Sequence, residues 1–277
     1  MKKRSLVILH HSVAYLIGIL WVLPFMGVIM ASVRPLPEIV DGWWSFEKFT
    51  LTMENFVRVW NHPSAPVGRG ILNSLLIAIP STILPLIAAS LAGYAFARFK
   101  FPLRDPLFSI LIFLMAMPAQ AVIIPLFFQM ARLGLIDTRI GLILLHTAWG
   151  VSWCTIFLRN FFLSIPIDLE EAARVDGASD FTIFWRIALP LASPAIISVA
   201  VLQFIWVWND FFFALLLLIS PDKLVVTQTI PLIKGRYLID WGLVSAASVI
   251  AIALPLLIFS LLQKYYIRGV MAGAIKG

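Results

Sequence analysis

Apolar residues in this chain fall in long unbroken runs separated by short polar islands, unlike the three-to-four-residue alternation of a helix with one face in water. The runs cover residues 13–33, 71–96, 106–131, 140–161, 192–220 and 241–263. Each reaches roughly the 20 residues that a helix needs to cross a hydrocarbon layer about 30 Å thick at about 1.5 Å rise per residue. Only a backbone that satisfies its own hydrogen bonds persists in hydrocarbon. The pattern therefore predicts an all-α integral membrane protein, one transmembrane domain over 1–277 with six transmembrane helices. Pro24, Pro80, Pro85, Pro118, Pro125 and Pro255 lie inside the runs, so kinks or locally unwound turns are expected there.

The polar island at 163–190 is the most structured of the gaps. Pro166 fixes the direction of the chain, Asp168 is placed to accept from free backbone N–H groups, and Glu171 stands three residues on as a capping-box partner. A short helix is expected to begin at Leu169. Gly177 supplies the residue able to take positive φ at its end, and Ser179 or Asp180 caps a second helix running to Pro190. On the first helix Ala172 and Ala173 present almost no side chain, while Glu170, Glu171 and Arg174 are expected to offer charge around a contact. This helix, turn, helix reads as a docking surface.

The string Glu171-Ala172-Ala173, Asp176-Gly177-Ala178, then Ile187-x-Leu189-Pro190 resembles the EAA loop of permease subunits in binding-protein-dependent ABC importers. The resemblance extends through Asn73-Ser74-Leu75, Tyr94-Ala95-Phe96-Ala97-Arg98, Trp208-Asn209-Asp210 and the ending Gly269 to Gly277. In that set the chain is similar to the shorter permease of carbohydrate importers of the maltose-transporter type. The resemblance implies a type I importer permease whose loop is a cytoplasmic coupling element. Its expected partners are a dimer of ATPase subunits, a second homologous permease and an extracytoplasmic sugar-binding protein. Glu170, Glu171, Ala172, Ala173, Arg174, Asp176, Gly177 and Ala178 would form the ATPase contact. Gly273 and Lys276 resemble a tail that makes a second contact. The loop at 221–240, with Lys223, Lys234, Arg236 and Tyr237, corresponds to the one that reaches toward the loaded binding protein. The stretches from His146 to Phe161 and around Gly42-Trp43-Trp44 resemble permeases for glucose, mannose or α-glucosides.

Composition agrees with a bilayer environment: 61% of the 277 residues are hydrophobic and 13% charged, with mean hydropathy +0.97. The formal net charge of +7 reads as topology. Arg98, Lys100 and Arg104 on one side of a predicted span, with Lys264 and Arg268, place those ends and both termini in the cytoplasm. Met1-Lys2-Lys3-Arg4 precedes a run too long for a signal peptide, so an uncleaved first helix is expected. No basic stripe interleaved with stacking aromatics suggests nucleic acid. Cys154 is the single cysteine, and His10, His11, His62 and His146 lack carboxylate or cysteine neighbours at ligand spacing. No metal site and no enzyme activity are expected. No phosphate-binding G-x-x-x-x-G-K-[ST] string occurs, so ATP and Mg²⁺ would be bound by partner ATPase chains.

Asp210 is the acid best placed inside a predicted span, where a charge costs on the order of 2.5 to 3.5 kcal/mol. It must face protein or water. Asn73, Gln120, Gln203, Trp206, Asn209 and Asp210 are the candidate residues of a sugar pathway. The same groups also suit hydrogen bonds that hold broken helices together. The alternatives are an ion-coupled secondary carrier, though such proteins usually carry paired intramembrane acids or repeated halves, and another membrane-embedded protein, an enzyme or a passive channel, for which no histidine and carboxylate cluster, nucleophile arrangement or ring-forming charge repeat speaks. Outside the runs, Trp43 and Trp44 and a short helix capped by Thr52 suit a membrane interface.

Overall fold

The computed structural model describes residues 2–234 and 239–274, and every element of regular structure among them is helical. Two compact units emerge, one from Met1–Gly70 with Gln228–Ala253 and one from Ile71–Thr227 with Leu254–Gly277.

In chain order the helices begin with α1 (Lys2–Ser32), α2 (Leu36–Val40), α3 (Glu54–Trp60), α4 (Val67–Arg98), α5 (Arg104–Ala116) and α6 (Ala119–Arg132). They continue with α7 (Arg139–Ser164), α8 (Asp168–Val175) and α9 (Asp180–Ile183), a π-helical turn (Phe184–Ala188), and α10 (Leu189–Leu191). The last four are α11 (Ser193–Trp208), α12 (Phe212–Leu217), α13 (Val226–Ile233) and α14 (Trp241–Ala274).

Within the first unit, the apolar stretch of α1 is exposed to its surroundings along its length, Trp21 and Ile19 included. That is the surface expected of a helix whose solvent is lipid. Beyond it, the buried Arg34 organises the polar segment: its guanidinium donates to the carbonyls of Trp43 (2.9 Å), Ser45 and Lys48 (3.1 Å) and covers the Phe49 ring. Asn55 of α3 donates to the carbonyls of Ser32 and Arg34. The carbonyl of Met53 caps α3, with no side-chain cap, and the Thr52 hydroxyl accepts from the N–H of Glu54.

In the second unit α7 is the central helix and packs against α5, α11 and α12. Its core joins Leu86, Ala89 and Tyr94 of α4 to Cys154, Leu158 and Phe162 of α7 and to Phe184, Ala188, Ala195 and Val199 farther on. Small residues let the helices approach, as is usual where lipid supplies no hydrophobic drive for association. A Cβ on Gly93 would lie 3.0 Å from the backbone nitrogen of Arg159. One on Gly150 would lie 2.6 Å from the Gln203 amide nitrogen.

Among the described residues four helices are long and apolar enough to span a membrane, or up to six spans if each of two bent pairs counts as one. The run 106–131 is not one straight helix: α5 and α6 meet at 101° across Met117 and Pro118. Proline has no N–H to donate and drives the residue before it out of helical conformation, and Met117 is extended. The run 192–220 stops being helical at Asn209, with α12 following a short break. A second bend, of 70°, separates Asp180–Leu191 from α11. By contrast α1, α4, α6 and α14 continue through Pro24, Pro80, Pro85, Pro125 and Pro255.

Candidate functional site

The polar island folds as α8, a tight turn and α9. At the end of α8, Gly177 takes φ +85°. The N–H of Ala178 donates to the carbonyl of Ala173 and that of Gly177 to Arg174, which together form a Schellman closure. Ser179, not Asp180, caps α9, accepting from the N–H of Thr182. Arg174 reaches across the turn to Asp180 at 3.0 Å. This bond holds the Arg174 guanidinium above its ordinary value.

Two expectations about α8 need correction. Its first helical residue is Asp168, and the Asp168 side chain makes no cap; the carbonyl of Ile167 takes the N–H groups of Glu170 and Glu171. Glu170 is also not a surface charge. It is fully buried, with Oε1 accepting from Arg98 Nε at 2.8 Å and Oε2 from the Tyr94 hydroxyl at 3.0 Å. Arg98 in turn donates to the carbonyl of Ile165. An ionised carboxylate buried without such partners would be prohibitively costly. The arrangement therefore pins α8 to the last turns of α4.

With Glu170 turned inward, Glu171, Ala172, Arg174, Asp176 and Gly177 are exposed, and Ala173 and Ala178 are half-buried. Val175 is 88% exposed, and Phe181 and Trp185 also stand out from the surface. The outer side of the helix, turn, helix is thus a small apolar knob edged by charge. In the sequence Val175 is legible only as one apolar residue in a polar island. The Tyr94 and Arg98 link to Glu170 spans more than 70 residues and leaves no mark in local spacing.

The candidate pathway residues do not form one cluster of free polar groups. Asn73 is buried and its amide is fully engaged: Nδ2 donates to the carbonyls of Asp222 and Leu224, and Oδ1 accepts from Arg139. Gln203 is likewise buried between the carbonyl of Ser81 and the indole N–H of Trp153. Asp210 lies in the break after α11, not within a helix. Its two oxygens accept from the N–H groups of Phe213 and Ala214. His146 Nε2 stands 3.5 Å from Asp210, a juxtaposition at a sequence separation of 64 that local spacing could not reveal. Gln120, just past the Pro118 break, Trp206 and Asn209 are the exposed members of the set.

Asp137, just ahead of α7, holds the segment at the end of α12 and beyond it. It sits at φ +56° and accepts from the N–H groups of Ile219 and Ser220 and from Lys223 Nζ at 2.8 Å. Lys223, followed by the Ser220 hydroxyl, holds the Asp137 carboxyl well below the usual carboxylate range. Among the described residues no group of three or more His, Cys, Asp or Glu could hold a metal ion. Arg236, Tyr237 and Lys276 lie outside the described residues, and Gly273 falls in the last turns of α14.

The family model of the binding-protein-dependent transport system inner membrane component matches residues 85–271. A probable ABC transporter permease protein of Pyrococcus horikoshii is 52% identical over 264 residues, covering 95% of this chain and 96% of the relative. The trehalose/maltose transport system permease protein MalG of Thermococcus litoralis is 35% identical over 277 residues, covering 99% and 98%. Among solved structures, a chain of a bacterial ABC transporter involved in import of the acidic polysaccharide alginate superposes with TM-score 0.81 at 24% identity, covering 96% of this chain and 98% of that one.

Proposed function

The chain belongs to the family of binding-protein-dependent transport system inner membrane components, and we propose that it is one of two permease subunits of an ATP-driven importer of a sugar or glucoside. The observation that carries this reading is the exposed knob of α8 and α9 fixed to α4 by Glu170 and Arg98. A docking element transmits force only if its base cannot slip. A buried, hydrogen-bonded ion pair supplies that stiffness, because opening it strands a charge in apolar surroundings.

In the proposed mechanism this chain catalyses no chemistry. ATP and Mg²⁺ bind a dimer of ATPase chains, whose closure carries the knob sideways. α4 follows through the Arg98–Glu170 pair, and the helices packed on it shift to open the sugar pathway alternately to each side. The knob must make different contacts in the two states, since a ligand-driven change requires differential free energy. A second, homologous permease completes the pathway, and an extracytoplasmic binding protein delivers the sugar. The termini and the knob are cytoplasmic in this reading. The trehalose/maltose permease among the relatives supports a glucosyl solute. An ion-coupled carrier gains little from Asp210, since both its oxygens are occupied by backbone donors.

The test is sugar-stimulated ATP hydrolysis by the reconstituted transporter with its binding protein. Val175→Asp should leave assembly in the membrane intact and cut stimulation at least tenfold. Full stimulation in that variant would remove the knob from the coupling path.

A further inference from the structure

We propose that Arg104 and Arg159, with Lys100 beside them, bind the phosphate of an anionic phospholipid in the leaflet on the side of α8. The placement on that leaflet rests on the reading of α8 as a loop at the membrane surface.

The site is built where α4, α5 and α7 converge. Arg104 opens α5 and uses Nε and Nη2 together on the carbonyl of Phe96, near the end of α4. Arg159 stands over the Phe108 ring of α5, its guanidinium carbon 4.1 Å from the ring centroid. Its backbone is fixed by the close approach of Gly93. Among the described residues its Nε is buried without a hydrogen-bond partner, and its Nη1 reaches only Asn160 at 3.4 Å.

Arg98 is neutralised by Glu170, but among the described residues no carboxylate comes within ion-pair distance of Arg104 or Arg159. The two arginines converge through neighbouring rings: Phe96, whose carbonyl Arg104 holds, has its ring 5.5 Å from that of Phe108, which lies under Arg159. Two guanidiniums are therefore held near one another, with Asp105 next to Arg104 in the sequence and the Arg159 Nε unfilled beside the Phe108 ring. Arg159 stands five positions before the end of a membrane-spanning helix, where an unpaired cation is costly unless it reaches the headgroup layer. Lipid phosphates are the anions present at that depth, and basic recesses between helices on this side are suited to them. Lys100 shares an open cleft of about 330 Å³ with Arg104 and Asp105.

Free phosphate would satisfy the arginines equally, but the surroundings favour a lipid. Leu107, Ile110 and Phe113 are exposed along α5 and give acyl chains a surface to follow from the headgroup.

Native mass spectrometry of the detergent-purified transporter would count retained lipids, using phosphatidylglycerol and phosphatidylcholine with identical acyl chains. Wild type should retain phosphatidylglycerol on the order of tenfold more tightly. The Arg104→Gln/Arg159→Gln double variant should lose that preference, and the double Lys variant should keep most of it. Asp105→Asn, which removes the offsetting charge from a protein with both arginines intact, should tighten retention. Equal retention of the two lipids by wild type, an unchanged preference in the Gln variant or no tightening in Asp105→Asn would each overturn the site. Displacement by millimolar inorganic phosphate would overturn its lipid character. Retention is read without transport, so an importer that fails to couple leaves this result standing.

Discussion

Arg98 Nε and Glu170 Oε1 stand 2.8 Å apart, with side-chain exposures of 5% and 0%, so the membrane helix α4 and the surface helix α8 share one buried ion pair. Tyr94 adds its hydroxyl to the same carboxylate. Removing one partner leaves the other charged and buried, which typically costs about 3–5 kcal/mol. Glu170→Ala should accordingly lower the unfolding temperature of the detergent-purified transporter and abolish stimulated hydrolysis. Glu170→Gln with Arg98→Met should recover much of the stability without recovering coupling. A double variant no more stable than Glu170→Ala would remove the pair from this role.

Gly177 separates strain from crowding, because a Cβ there would meet nothing within 4 Å while φ is +85°. Substitution therefore acts through the backbone alone, at about 1–2 kcal/mol for a residue with a Cβ. Gly177→Asn should retain most of the coupling and Gly177→Val almost none, with normal membrane insertion in both. Comparable ATPase stimulation in the two variants would contradict the left-handed requirement.

The Asp137 latch has a pH signature. Its carboxyl is depressed in the folded protein, so its stabilisation is complete above the ordinary value of 3.8 and falls away as pH drops below it. Thermal unfolding of wild type and Asp137→Asn should differ at pH 6 and converge in progressively acidic buffer. A gap that stays constant as pH falls would show that the charge is irrelevant. Lys223→Met should reproduce part of the loss.

Helix approach at Gly93 and Gly150 makes the opposite prediction from Gly177. Gly93→Val would press a branched side chain into the backbone at Arg159, and overpacking of this kind costs about 1–3 kcal/mol. Gly150→Ala would have to displace Gln203, which then loses its bonds to Ser81 and Trp153. Both variants should express at reduced levels with lowered melting temperatures. Gly18, where nothing lies within 4 Å, is the control and should tolerate alanine without a shift.

Local chemistry makes part of the proposed coupling element legible in the order of residues. Gly177 is marked by its type and position, because few other residues enter the left-handed region cheaply, and the small-residue face by Ala172 and Ala173. Burial is not marked. Glu170 and Glu171 are adjacent and identical in chemistry, yet one is in the core and the other in solvent, and the difference is set by Arg98 some 70 positions away. The candidate pathway residues share the same ambiguity: Asn73 and Gln203 have the polarity expected of sugar contacts, and the structure uses both to hold segments together.

That the chain is helical and lives in lipid follows from its residues in order, because hydrophobic length and the need for internal backbone bonding act on each segment independently. The place of the polar helix, turn, helix follows in the same way. Tertiary packing decides which charges are buried, which of several prolines breaks its span, and where α11 gives way to the Asp210 break. Those outcomes depend on what a distant segment offers: a partner for Glu170, neighbours that carry a helix past Pro80 and Pro85, or donors that close around Asp210. Solvation is a property of each residue, whereas pairing belongs to two residues that only the fold brings together.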